Sequence, residues 1–283
     1  MLSNEQVSQY KDEGYTVYPG FFRAAEVSEI LQDIVTISAN ATRAKHDNSR
    51  MEMEPNQGPD GTMVRRIYEP CTYYPRFRDL SESKELLDCV EQLLGPNINF
   101  HYSKLNMKPP SIGSVVEWHQ DLVYYPLTNR DSLAVLFYLD DAGNSNGCLR
   151  VIPKRHLGSA LDHTLDGIFQ GRVTEPIDES SAAALQGGSG TAIFMHGMTP
   201  HASAPNTSPK PRKTLILSYR AADAFPVYLG EPTEEFESHV RLVRGKCLRI
   251  ARLASGEFPI PQFPQRTKSL YELQDLSRTK ASS

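Results

Sequence analysis

Apolar positions along this chain change period near residue 95. Before it, Val27, Ile30, Leu31, Ile34 and Ile37 fall at helical spacing, and Lys84–Leu94 repeats the pattern before Gly95-Pro96 closes it. A shorter helix is predicted from Ser3, an N-cap with Glu5 and Gln6 in the first turn, to Gly14, and Tyr15–Tyr18 follows as a strand. Beyond residue 95 short apolar runs dominate: Ile98–Met107, Val115–Asp121, Leu133–Leu139, Cys148–Ile152, Thr191–Phe194 and Thr214–Tyr219, separated by Gly, Pro and Asn. Helices first and many turn-separated strands afterwards predict a mainly β fold. The best fit is a double-stranded β-helix (jelly roll, cupin-like) with flanking α-helices. Thr42–Gly61 and Leu161–Gly190 lack periodicity, so the first reads as a loop and the second as an insertion over the barrel mouth. The chain after Phe225 is proline-rich and irregular. We therefore expect one domain over 1–283: a helical part at 1–95, a jelly-roll core at 96–225 with its insertion at about 161–190, and an irregular extension at 226–283.

Composition narrows the classes. The 283 residues carry a net charge of -4 and no long basic run, which predicts neither a nucleic-acid nor a membrane partner. Cys71, Cys89, Cys148 and Cys247 are dispersed, as free thiols in a reducing compartment are. No apolar stretch approaches the ~20 residues that span a bilayer, and the start of the chain lacks a leader pattern. These features predict a cytoplasmic protein, a monomer or small homo-oligomer acting on a small molecule.

The chemistry centres on Glu117-Trp118-His119-Gln120-Asp121. Side chains two apart on a strand project the same way, so His119 and Asp121 can grip one metal ion. The tripeptide alone is weak, since a chain this long contains one by chance. A third ligand is expected from Met195-His196-Gly197-Met198-Thr199-Pro200-His201, where His196 and His201 compete. Two imidazoles and one carboxylate form the facial triad of non-haem Fe(II) oxygenases, with positions left open for a cosubstrate and O2. Arg212 opens the next apolar run and could clamp a dicarboxylate; Arg220, eight residues later on the same face, is its rival.

The order His119-Gln120-Asp121-Leu122-Val123-Tyr124-Tyr125-Pro126, then Asn146-Gly147-Cys148-Leu149, Ile152-Pro153-Lys154-Arg155-His156-Leu157-Gly158-Ser159, His201-x-Ser203 and Arg212 closely resembles the phytanoyl-CoA dioxygenase family over residues 1 to 225. The resemblance implies Fe(II), 2-oxoglutarate and O2 as cofactor and cosubstrates. It selects His201 over His196 as the third ligand and gives Arg212 and Ser203 to 2-oxoglutarate. Lys104 would then face the cosubstrate, though a strand-edge lysine that blunts aggregation is the competing explanation. Gln120 is carried over with the cosubstrate site and Gly147 as a border of the iron site. Tyr124, Arg66, His101 and Arg220 are carried as candidates near the substrate. The basic residues Lys104, Lys108, Arg65 and Arg66 are taken as exposed, suiting either a small anion such as an aminophosphonate or carboxylate, or the phosphates of an acyl-CoA. A carboxyl end of Lys280-Ala281-Ser282-Ser283 is not the peroxisomal Ser-Lys-Leu, which counts against branched fatty-acid oxidation. Asp121 fills the place that a halogenase leaves for halide. The alternatives from other classes are a zinc cupin-like hydrolase, to which Arg212 and Ser203 are useless, and a silent ligand-binding barrel.

Overall fold

The change of period in the sequence is a change of layer in the molecule. A computed structural model describes residues 1–227, 237–254, 256–263 and 269–281. Helix α1 (Asn4–Glu13) starts as the sequence predicts: Ser3 Oγ accepts from the Gln6 amide, Gln6 Oε1 accepts from the Ser3 amide, and Gly14 ends it at φ 84°. Helices α2 (Ala24–Ile37), α3 (Pro70–Tyr73), α4 (Pro75–Ser81) and α5 (Lys84–Leu94) complete the outer layer.

Inside it lies an antiparallel sheet of eight strands. Its order is β1 (Tyr15–Tyr18), β11 (Ala192–His196), β6 (Ser132–Tyr138), β13 (Arg212–Ala221), β4 (Ile98–Lys108), β3 (Val64–Tyr68) and β2 (Met51–Met53), with β14 (Arg241–Arg244) also on β4. A second sheet runs β10 (Ala183–Leu185), β7 (Leu149–Val151), β12 (His201–Ser203), β5 (Val116–His119). Alternation of side chains assigns the faces. Leu133, Val135 and Phe137 of β6 and Leu215, Leu217 and Tyr219 of β13 turn outward and pack on Ile30, Ile34, Leu86 and Val90 of the helices. Their neighbours Ala134, Leu136, Tyr138 and Ile216 turn inward to meet Leu149, Val151 and Leu185 of the second sheet. This is the jelly roll, with helices α1–α5 on the outer face of the large sheet.

Three expectations change. The stretch 42–61 is mostly loop, but Met51 and Met53 are buried in β2, an edge strand too short to announce a period. Residues 161–190 are not simply an insertion: β8 (Thr164–Leu165) and β9 (Ile168–Phe169) form a small hairpin, and Ala183–Leu185 is a full member of the second sheet, paired with β7. Its alanines are poor strand formers, so the signal was faint. In the extension, residues 228–236, 255, 264–268 and 282–283 lie outside the described residues. The remainder is not irregular throughout, because it contributes β14 and helix α6 (Leu270–Ala281). The buried face of α6 includes Gln274 and Ser277 beside Tyr271 and Leu273, which dilutes the apolar repeat that would have revealed it.

Candidate active site

β5 ends at His119, β12 begins at His201, and the two are register partners across the second sheet. Gln120 remains extended (φ -118°, ψ 128°), which returns Asp121 to the face of His119. His119 Nε2 and His201 Nε2 each lie 3.8 Å from Asp121 Oδ1, and the three donor atoms are all within 4.8 Å of one another. That is slightly wider than the roughly 3 Å kept by ligands ~2.1 Å from one ion on an octahedral face. The other ring nitrogens are tied to the backbone: His119 Nδ1 lies 2.8 Å from Glu117 O and His201 Nδ1 3.0 Å from Thr199 O. A carbonyl accepts only from N–H, so both rings carry their proton on Nδ1 and aim the Nε2 lone pair at Asp121. Burial, with the neighbouring His201 adding to it, pushes the pKa of His119 well down. Burial likewise lowers His201, partly offset by Asp121. Both rings are held neutral, as metal ligands must be. The residues present fit Fe(II).

Beside the triad is a narrow cavity of about 40 Å³. Its cationic lining is Lys104, Lys108 and Arg212, while Asp121 is its one acid. Arg212 is 4% exposed; its Nε has no hydrogen-bond partner, and no carboxylate lies within 4 Å among the described residues. A buried guanidinium so placed is costly unless an anion completes it. Lys108, opposite Arg212 on β4, donates to Ala204 O at 2.8 Å and to Ser114 O. Burial, then Arg212, pushes its pKa well below the ordinary lysine value. Lys104 and Ser203 line the same cavity.

Other expected site residues stand elsewhere. Gln120 points away from the cavity: its Nε2 donates to Met198 O (2.6 Å), its Oε1 accepts from the Leu161 amide (2.7 Å), and it braces the strand between two ligands instead of meeting the cosubstrate. His163, which the sequence did not distinguish, supports it from behind by accepting from the Gln120 amide at 3.1 Å. Tyr124 sets its ring edge-on to His119, centroids 5.8 Å apart, and donates to Gly171 O, so it buttresses a ligand and does not line the cavity. Gly147 has φ 77°, and a Cβ there would lie 2.3 Å from Ala204 O; the glycine admits the backbone that also receives Lys108.

His101 is the extra residue of a β-bulge: Tyr102 faces Ser218 while Phe100 faces Tyr219. It is buried against Tyr125 (4.5 Å), outside the cavity. Arg220 keeps the facing of Arg212 but lies opposite Asn99 at the far end of β13, held by Glu237 at 2.6 and 3.1 Å, so it is neither a free clamp nor a surface charge. Lys108, Arg65 and Arg66 are buried, not exposed. Arg65 pairs with Glu52, and Arg66 Nε donates to Asn106 Oδ1 at 3.0 Å. His196 is outside the triad, accepting from the Met198 amide and packing on His156. Asn106, Leu270 and Tyr271 also line the cavity, and no motif in the sequence marks them.

Neutral imidazoles and a carboxylate converging on strand ends of a jelly roll, with an uncompensated arginine alongside, define an Fe(II)- and 2-oxoglutarate-dependent oxygenase. The profile of the family described as Phytanoyl-CoA dioxygenase (PhyH) matches residues 10–214, and the chain belongs to that family. Among curated relatives, the "Probable alpha-ketoglutarate-dependent hypophosphite dioxygenase" of Stutzerimonas stutzeri is 34% identical over 264 residues, 91% of each chain. The "Methylphosphonate hydroxylase" of Gimesia maris is 26% identical over 255 residues, 89% of this chain and 94% of its own. A crystal structure of EctD from S. alaskensis with 2-oxoglutarate and 5-hydroxyectoine superposes with a TM-score of 0.68 at 25% identity, covering 89% of this chain and 88% of that one. No helix among the described residues is long and apolar enough to cross a membrane.

Proposed function

We propose that this enzyme oxygenates a small phosphorus oxyanion, hypophosphite or a short alkylphosphonate, with a small carboxylate as the alternative of the same charge class. The observation that carries the reading is the basic lining of the cavity, Lys104 with the buried Lys108 and Arg212, against one metal-binding carboxylate. One arginine answers the distal carboxylate of 2-oxoglutarate; the surplus calls for a second anion. The activities for which the Stutzerimonas stutzeri and Gimesia maris relatives are named belong to the same chemical class.

In this reading Arg212 holds the distal carboxylate of 2-oxoglutarate, Ser203 donates its hydroxyl to the same group, and Lys104 offsets negative charge on the side of Asp121. The Nδ1 tethers on Glu117 O and Thr199 O fix both imidazoles before any ligand arrives. The sheets exclude water from Lys108 and Arg212, which strengthens their attraction for anions. When bound, Fe(II) supplies the redox chemistry by which O2 gives one oxygen atom to succinate, formed from 2-oxoglutarate with loss of CO2, and one to the substrate. An acyl-CoA fits poorly, because its phosphates need cations at a mouth and Lys108, Arg65 and Arg66 are interior. A zinc hydrolase leaves Arg212 unexplained. We place the enzyme in a reducing, cytoplasm-like compartment, on the buried free thiols of Cys71, Cys89 and Cys148, as a monomer or small homo-oligomer.

The test is succinate release under air with 2-oxoglutarate and Fe(II) or Zn(II), offering hypophosphite, methylphosphonate and short carboxylates in turn. The expected result is substrate-dependent succinate with Fe(II) and none with Zn(II), which is redox-inert. Stimulation only by uncharged compounds would overturn the substrate class, and turnover with Zn(II) would overturn the reaction class.

A further inference from the structure

The cavity has a wall that no ligand motif contains. Leu270 and Tyr271, in the first turn of α6, line it together with Asn106. Tyr271 is 2% exposed, and the guanidinium carbons of Arg65 and Arg66 lie 4.5 and 4.7 Å from its ring centroid. Arg65 is paired with Glu52, whereas Arg66, 4% exposed, has an Nη2 without a partner and no carboxylate within 4 Å among the described residues. Its Nε occupies the oxygen of Asn106, leaving the amide nitrogen of that side chain for the cavity. A second guanidinium without a carboxylate partner therefore sits behind two cavity residues, apart from the one assigned to 2-oxoglutarate.

The helix is fixed to the metal-bearing strand. Gln274, fully buried, accepts from the Glu117 amide at 3.1 Å and donates to Gly171 O at 2.6 Å. Gly171 O also accepts from the Tyr124 hydroxyl, whose ring packs on His119. Gly171 itself has φ 66°, a conformation that favours glycine, and a Cβ there would lie 2.6 Å from Leu273 Cδ2 on the helix. Arg278 to Glu117 (2.8 Å) and Arg172 to Ser277 (2.6 Å) extend the seam.

We propose that α6 completes the substrate side of the active site, and that Asn106 and Tyr271, backed by Arg66, form the subsite for the substrate's oxyanion. Gln274 is a positioning residue that sets Tyr271 in place through β5. The proposal rests on the anionic-substrate reading above.

Calorimetry on Zn(II)-loaded, 2-oxoglutarate-bound enzyme, with sodium hypophosphite as probe, tests it. Arg66→Ala, Asn106→Ala and Tyr271→Ala are expected to weaken hypophosphite binding tenfold or more while 2-oxoglutarate affinity stays within about twofold. With Fe(II), Gln274→Ala is expected to raise KM for hypophosphite more than it lowers kcat and to increase succinate formed per product. Leu276→Ala, on the exposed side of α6, is the unchanged control. Should Tyr271→Ala fail to fold, Gln274→Ala and Arg66→Ala decide alone. Hypophosphite bound equally by wild type and variants overturns the subsite but leaves the substrate reading intact, as does a parallel loss of hypophosphite and 2-oxoglutarate. Absence of binding by the wild type overturns the substrate reading and the subsite with it.

Discussion

A histidine becomes a ligand here through what its far nitrogen does. His119 and His201 give Nδ1–H to carbonyls two residues back in the chain, whereas His196 uses Nδ1 to accept from the Met198 amide and turns its ring to His156. His119→Ala, Asp121→Ala and His201→Ala should therefore each lose iron by metal analysis, while His196→Ala keeps most of it. Retention of iron by His201→Ala would dismiss this ligand set. Arg212→Ala should weaken 2-oxoglutarate binding tens to thousands-fold, on the order of 2–5 kcal/mol for one side of a buried charged pair, with little effect on iron. Titration of the charge-transfer band of the Fe(II)-2-oxoglutarate complex reads this out; a larger loss in Arg220→Ala would contradict the ion pair with Glu237. The spacing of His119, Asp121 and Arg212 was legible because strand alternation fixes the facing of residues two apart. The same rule speaks against Gln120, whose position between two inward ligands turns it outward. Burial of Lys108, Arg65 and Arg66 was not legible, since charge suggests exposure and only the assembled sheets reveal the carbonyls, rings and carboxylate that receive them.

At the scale of elements, the division of labour is between layers. The helices outside the large sheet cover its apolar face and place nothing in the cavity, α6 excepted. Ile30 on α2 is 1% exposed, so Ile30→Ala should cost roughly 2–5 kcal/mol of stability in denaturant melts. Its 2-oxoglutarate affinity should match the wild type, and a joint loss of both would mean that the helical layer is coupled to the site. Long periodic elements such as α2, α5, β4 and β13 could be read from the sequence because a dozen residues repeat one pattern. β2, β10 and α6 could not, being three-residue strands and a helix whose inward face is partly polar. What defines them is the partner strand or the buried amide, and neither is local in the sequence.

For the whole molecule, burial sets a balance of protons. His101 and His196 are pushed down to about 3, chiefly by burial and then by Arg220 and His156 respectively, and Glu69 is pushed up to about 7 by burial. Below pH 6.5 the unfolded chain takes up protons on these histidines that the folded chain refuses, so stability present above 6.5 is lost as pH falls towards 3. Glu69 acts in the opposite sense, favouring the folded state more as pH falls from 7 towards 4.5. Between pH 7 and 5 each of the three is worth roughly 2 kcal/mol. Two histidines outweigh one glutamate, and His119 and His201 add to the loss in metal-free protein. Urea midpoints of the metal-free enzyme should be lower at pH 5 than at pH 7, and His101→Phe should flatten the difference; a midpoint that rises on acidification would refute this balance. The family match ends at residue 214, two residues after Arg212, whereas α6 begins at 270. The proposed substrate subsite therefore draws on both stretches, with Arg66 and Asn106 inside the matched residues and Tyr271 beyond them. With α6 on the substrate side, as proposed, grafting one relative's terminal helix onto another's barrel should change which anion is accepted while iron binding stays unaltered.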